Sequence, residues 1–193
     1  AGGVLLGTVG AHGGFLLAAL LYLVGLIIAV STDYLQPLST ERYTSPKKQM
    51  TQGISYIRRN EIIIGTLVVT LVVNAFGFSY MSQQAVVARQ VLEVSDVLIG
   101  VLQSVEGAGM FLSATLVTIF ARPHQYIRIY MGSSLLYLVT ITLFSQSNTY
   151  WASLLILFLS GIGMSGFAAM QSAIMVYTSS QEMRGRVMGS VTM

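Results

Sequence analysis

The stretch Tyr150–Thr178, YWASLLILFLSGIGMSGFAAMQSAIMVYT, is long, apolar and free of charged side chains. A helix needs roughly 20 residues to cross a hydrocarbon core about 30 Å thick. A helix also satisfies its own backbone hydrogen bonds, as a chain in lipid must. The stretch therefore predicts a transmembrane helix, one that tilts, bends at its glycines or extends past the bilayer.

Four further apolar stretches of similar length, bounded by charges or turn residues, predict spans at residues 14–31, 61–82, 97–120 and 127–144. Residues 1–9 read as the end of an earlier helix that turns at the glycine-rich residues 10–14, and residues 187–193 as the start of a further one. We expect an all-α, polytopic membrane protein truncated at both ends.

The composition agrees with lipid as the solvent. Hydrophobic residues make up 54% of the 193 positions and charged residues 9%, against about a quarter charged in soluble domains. The mean hydropathy is +0.72 and the net charge +3. The basic residues flank the apolar stretches, so we expect a lipid bilayer as partner and no nucleic acid. The absence of Cys excludes disulfides and thiolate metal sites.

The distribution of Lys and Arg predicts the orientation of the spans, because basic short loops stay in the cytoplasm. Only Arg89, near Glu93 and Asp96, falls on the opposite side. The cytoplasmic loops hold the other basic residues: Arg42, Lys47, Lys48, Arg58, Arg59, Arg122, Arg128, Arg184 and Arg186.

The linker of residues 32–60 carries an amphipathic pattern in its second half. Met50, Ile54 and Ile57 recur at helical spacing among basic and polar residues. The pattern predicts a short helix on the cytoplasmic face, with its basic groups near anionic headgroups. A solvated tether is the alternative.

Glu106 is an acid about ten positions into the span of residues 97–120. A charge at that depth is costly and marks proton relays and ion pathways in membrane proteins. Gln103, Met110 and Ser113 share its helix face. Glu106, with Gln103, is therefore the candidate for proton coupling. The alternative is a hydrogen-bonded glutamic acid that joins two helices.

A polar stripe runs along the span of residues 61–82. Thr66, Thr70 and Asn74 recur every four residues, and Phe78 and Ser82 continue the row approximately. The stripe must face a cavity or form hydrogen bonds between helices.

The segment SGIGMSG, residues 160–166, places the small residues Gly161 and Ser165 four positions apart. Small residues at this spacing allow close helix packing, which we favour over a hinge. No Walker loop, zinc spacing or nucleophile elbow is present. His12 and His124 stand apart, so we expect no metal, no cofactor and no enzymatic activity.

Two basic segments, QGISYIRRN at residues 52–60 and QEMRGRVMG at residues 181–189, resemble the major facilitator superfamily. More narrowly they resemble its drug and siderophore exporter branch, the enterobactin-exporter-like group. The resemblance implies two six-helix bundles that alternate access to a midplane site. The chain would then run from about the fifth to the eleventh span: residues 1–31 from the N-terminal bundle, 32–60 as linker, and 61–193 from the C-terminal bundle. The rest of the N-terminal bundle would be its partner.

The resemblance also implies roles for individual residues. The loop ARPHQYIR, residues 121–128, lacks the Gly and Asp of the family's gating motif, so only its two arginines could serve as a gate. Arg184 and Arg186 would lock the cytoplasmic gate or contact headgroups. Methionine adapts to varied ligands, although it more often simply packs. The candidate residues are Asn74, Phe78, Gln83, Met164 and Gln171 for the substrate cavity, and Arg122, Arg128, Arg184 and Arg186 for the gate.

The function that these expectations suggest is proton-coupled export of a small amphipathic or hydrophobic compound across a bacterial inner membrane. A membrane scaffold or assembly subunit is the alternative, and it predicts polar stripes that face only other helices. A membrane-embedded enzyme is disfavoured because no cluster of acids and histidines lies at membrane depth.

Overall fold

The computed structural model describes residues 2–31, 46–180, 183 and 185 of the chain. These residues are helical throughout, apart from short connections, and contain no β-strand. The all-α prediction is confirmed. A 3₁₀ turn, Pro123–Gln125, precedes the fifth of the α-helices, which are α1 (Gly2–Ser31), α2 (Pro46–Arg58), α3 (Glu61–Gln90), α4 (Asp96–Phe120), α5 (Tyr126–Ser145) and α6 (Tyr150–Thr178).

Five helices in the described part of the chain are long and apolar enough to cross a membrane. They are α1, α3, α4, α5 and α6, the five predicted spans. Helix α3 continues eight residues past its predicted end at residue 82, as far as Gln90. The chain is therefore a multi-pass integral membrane protein.

The turn predicted at residues 10–14 is wrong. Helix α1 runs without interruption from Gly2 to Ser31, through all three glycines of the GAHGG segment. Glycine lowers helix propensity by about 1 kcal/mol in water, but a chain in lipid must satisfy its backbone groups internally, and a continuous helix does so. Residues 2–31 thus form one element instead of parts of two spans. The partial span predicted at residues 187–193 lies outside the described residues.

Helix α6 packs closely against both α4 and α5, and α3 contacts the pair formed by α5 and α6. One apolar cluster centres on Tyr137 and Phe167, and a second on Leu102, Phe144 and Leu157. Helix α1 packs along α4, and none of its described side chains from Gly13 to Ser31 is buried. Its apolar surface is the kind that lipid covers.

Glycines set the close approach of α6 to its neighbours. A Cβ atom on Gly161 would collide with the backbone carbonyl of Glu106 in α4, and one on Gly109 with the carbonyl of Phe158 in α6. A Cβ on Gly163 would lie 2.9 Å from the carbonyl oxygen of Ser133 in α5. The packing role predicted for Gly161 is confirmed.

The helix predicted in the linker is also confirmed, as α2, and it is tied to the bundle. Tyr56 and Ile57 pack against Ile63 of α3 and Met175 of α6. The Tyr56 hydroxyl donates to the carbonyl of Thr178 at 3.3 Å and accepts the Ser180 N–H at 3.2 Å. This end of the linker is therefore anchored where α6 ends, whereas residues 32–45 lie outside the described residues.

Candidate functional site

Glu106 lies half-buried where three helices meet. The Gln84 amide of α3 donates to Oε2 at 2.9 Å, and the Ser160 hydroxyl of α6 donates to Oε1 at 3.1 Å. Each carboxyl oxygen thus receives a donor from a different helix. Both donors are uncharged, so the carboxyl has no cationic partner among these contacts.

The close packing of α4 and α6 at their glycines explains how Ser160 reaches Glu106. Gly161 directly follows Ser160, and its missing side chain lets α6 approach the backbone at Glu106. Helix α3 supplies Gln84 from the half that ends at Gln90. The carboxyl is therefore held by the packing of the helices, since no loop contributes to these two hydrogen bonds.

Two tyrosines lie in the electrostatic environment of the same carboxyl. Tyr80 and Tyr137 both interact electrostatically with Glu106. The Tyr80 ring packs edge-on against Phe144, with centroids 5.6 Å apart. Its hydroxyl is buried and has no hydrogen-bond partner among the described residues. The Tyr137 hydroxyl lies against Gly77, where a Cβ would be 2.9 Å from it.

A second polar network crosses the bundle between α3, α5 and α6. The Gln171 amide donates to the Thr70 hydroxyl at 2.8 Å, and this hydroxyl lies 3.0 Å from that of Tyr130. The Tyr130 hydroxyl donates to the carbonyl of Thr66 at 2.9 Å. Because Tyr130 has one proton, Thr70 must donate to Tyr130, and the donors run in one direction from Gln171 to Thr66.

A groove of about 560 Å³ lies between α3 and α5, on the half of α3 that ends at Gln90. We call it the α3–α5 groove. Its described lining carries no charged side chain, and it reaches Gln84, which in turn binds Glu106. The lining residues are Val72, Phe76, Ser79, Tyr80, Gln83, Gln84, Val87, Leu138, Ile141, Thr142, Phe144 and Ser145.

The structure separates the predicted substrate residues. Asn74 and Met164 share a small pocket of about 10 Å³ with Tyr137, enough for about one water molecule. Gln83 lies in the α3–α5 groove, and Gln171 in the network with Thr70. Phe78 belongs to α3, but its side chain lies outside the described part of the structure.

The remaining predicted residues are distributed as follows. Gln103 lies one turn from Glu106 on α4 but is exposed. Arg122 and Arg128 are exposed on either side of the 3₁₀ turn. Arg184 and Arg186 lie outside the described residues.

Sequence reasoning missed Gln84, Ser160 and Tyr80. Gln84 falls just beyond the predicted end of its span, where a polar residue carries no signal. Ser160 begins the SGIGMSG segment. This segment predicted close helix packing but not which residue of the neighbouring helix Ser160 would contact. No cluster of three or more His, Asp or Glu suited to a metal ion occurs in the described chain.

Comparison with known proteins gives one match. The family model of the Major Facilitator Superfamily matches residues 1–193. Neither the curated proteins nor the solved structures contain a match.

Proposed function

Because this chain belongs to the major facilitator superfamily, a family of secondary transporters, we propose that it serves proton-coupled export of a small amphipathic or hydrophobic compound. The drug and siderophore exporter branch is the proposed subgroup, and a bacterial inner membrane the proposed location. Protons are the proposed coupling ion and Glu106 their proposed carrier.

The position of the Glu106 carboxyl carries this proposal. An acid inside a membrane helix is expensive, and it persists where it faces other helices or water. Glu106 is half-buried and bonded to two helices through Gln84 and Ser160. A change in its charge would alter hydrogen bonds to α3 and α6 together. Such a link between protonation and helix packing is what proton-driven alternation of two conformations requires.

The uncharged lining of the α3–α5 groove supports a substrate of low charge. Asn74 and Met164 are the proposed contacts at the small pocket, together with Phe78 and Gln171 on the same helices, and Gln83 is the proposed contact in the α3–α5 groove. We propose Gln103 as an auxiliary residue of coupling. The proposed gate consists of Arg122, Arg128, Arg184 and Arg186.

A scaffold or assembly subunit is the second candidate, and one observation favours it. The stripe residues Thr66 and Thr70 are both buried. The Thr70 hydroxyl bonds to Tyr130 and Gln171 of other helices, whereas the Thr66 hydroxyl donates to Ile62 of its own helix and the Thr66 carbonyl accepts from Tyr130. That part of the stripe therefore has a packing role. A scaffold needs no group that takes up protons, so Glu106 distinguishes the two candidates.

The test is transport driven by a pH gradient in proteoliposomes that contain the full-length protein. With Glu106→Gln, we expect gradient-driven uptake of a fluorescent hydrophobic dye to fall to background. The Gln side chain keeps the shape of Glu but cannot bind and release a proton. The matched control is Glu93→Gln in the exposed loop between α3 and α4, which should transport normally. Undiminished transport by the Glu106→Gln variant would show that Glu106 is not the proton carrier.

A further inference from the structure

The α3–α5 groove is a site separate from the pocket of Asn74 and Met164. We infer that it binds an uncharged, largely apolar molecule that carries one hydrogen-bond acceptor. Its volume of about 560 Å³ lies within the range of about 300–1,000 Å³ typical of small-molecule sites.

The walls of the groove are aromatic and aliphatic. Phe76 is exposed and Tyr80 half-buried, and Tyr80 packs edge-on against Phe144, which is itself buried. The exposed Phe76 ring offers its face and edge to another ring. These surfaces favour a molecule that contains an aromatic group.

Charge is disfavoured in the groove. None of its lining residues is charged, and the carboxyl of Glu106 in α4 is bonded to the lining residue Gln84. A charged ligand would lose its hydration and gain no opposite charge in return. An uncharged ligand avoids this loss.

The polar groups of the groove point to one donor for the ligand. The hydroxyls of Ser79, Thr142 and Ser145 donate to carbonyls of their own helices, and the Gln84 amide donates to Glu106. The Tyr80 hydroxyl is buried. Gln83 is exposed in the groove, so its amide is the donor that a ligand would meet.

A lipid acyl chain is the other molecule that could fill an apolar groove. Its hydrocarbon has no acceptor for the Gln83 amide, and only the ester carbonyls at its head could supply one. The ligand with an acceptor is therefore the better match. That this ligand is exported rests on the proposed function, whereas its binding does not.

Benzophenone tests the site directly, because it is uncharged and aromatic, carries a single carbonyl acceptor, and forms covalent bonds with nearby C–H groups under ultraviolet light. The full-length protein is placed in phosphatidylcholine nanodiscs, irradiated with increasing benzophenone, and mapped by peptide mass spectrometry. We expect saturable labelling on residues 72–87 and 138–145. Labelling that rises linearly with concentration, at the same level there as on the exposed face of α1, would mean a lipid-like surface and overturn the inference.

The Gln83→Leu variant tests the acceptor. We expect it to weaken benzophenone binding about threefold to tenfold, the effect of one lost hydrogen bond. Diphenylmethane has the same two rings and no carbonyl, so its competition against labelling should be unchanged. The control Gln90→Leu, an exposed glutamine at the end of α3, should bind as the unmodified chain does. Equal benzophenone affinity in Gln83→Leu and Gln90→Leu would refute the assigned donor.

The outcome separates this inference from the proposed function. Binding to the groove needs no proton gradient, so the unmodified protein should be labelled saturably in the absence of one. Saturable labelling without proton-driven transport would support the binding site and contradict the proposed transport. Proton-driven transport without saturable labelling would support the proposed transport and contradict the binding site.

Discussion

Replacing Gly161 by Ala should disrupt the crossing of α4 and α6. The new Cβ would lie 3.0 Å from both the carbonyl carbon of Glu106 and the amide nitrogen of Met110, and it would overlap the carbonyl oxygen of Glu106. The backbone of a packed helix cannot yield as a flexible side chain does, so the two helices must separate. Overpacking of this kind costs about 1–3 kcal/mol.

Separation of the helices also lengthens the hydrogen bond from Ser160 to Glu106. Hydrogen bonds between membrane helices are worth about 0.6 kcal/mol on average. The control is Gly107→Ala, an exposed glycine that directly follows Glu106 in α4 and has nothing within 4 Å of its Cβ. That change should be neutral or stabilise by up to about 1 kcal/mol through helix propensity. We therefore expect the two variants to differ by about 2 kcal/mol or more.

The assay is unfolding in mixed micelles with increasing sodium dodecyl sulfate, followed by circular dichroism and by the fluorescence of Trp151, the single tryptophan of the chain. Gly161→Ala should unfold at a lower mole fraction of the denaturing detergent than Gly107→Ala. Equal midpoints for the two variants would refute the close crossing, and with it the explanation of how Ser160 reaches Glu106.

Two further predictions concern the polar ties between helices. Thr70→Val removes a hydroxyl that is bonded to both α5 and α6, so it should lower stability by about 1 kcal/mol in the same assay. The control Thr118→Val removes an exposed hydroxyl that bonds only to its own helix, so it should leave stability unchanged. Equal losses of stability in the two variants would contradict the network. Tyr56→Phe removes the hydrogen bonds between the Tyr56 hydroxyl of α2 and the end of α6. The Ser180 amide should therefore exchange its hydrogen up to about tenfold faster, as the loss of one hydrogen bond predicts. An unchanged exchange rate would contradict the tie.

The spans could be predicted because lipid imposes a simple rule on the chain. A long apolar run must form a helix to satisfy its backbone, and the boundaries then follow from charges. The same rule explains the error at residues 10–14. Glycines mark turns in water, where the backbone can bond to solvent, but α1 continues through them.

The candidate site was predictable only in part. Glu106 could be singled out because burying an acid in a membrane helix is costly. The residue type and its depth in the span are enough to show this. Its partners depend on how each helix is rotated and on which helices are neighbours. Gln84 lies 22 positions before it and Ser160 lies 54 positions after. Nothing local to either residue records that contact.

The central claim is that Glu106 exchanges a proton while bonded to α3 and α6. Infrared difference spectra of the reconstituted full-length protein, recorded between high and low pH, measure this directly, because a protonated carboxyl has its own carbonyl band. We expect one such band to be absent in Glu106→Gln and shifted in frequency in Gln84→Leu, which removes a hydrogen-bond donor to that carboxyl. A spectrum that is identical in all three proteins would contradict the claim.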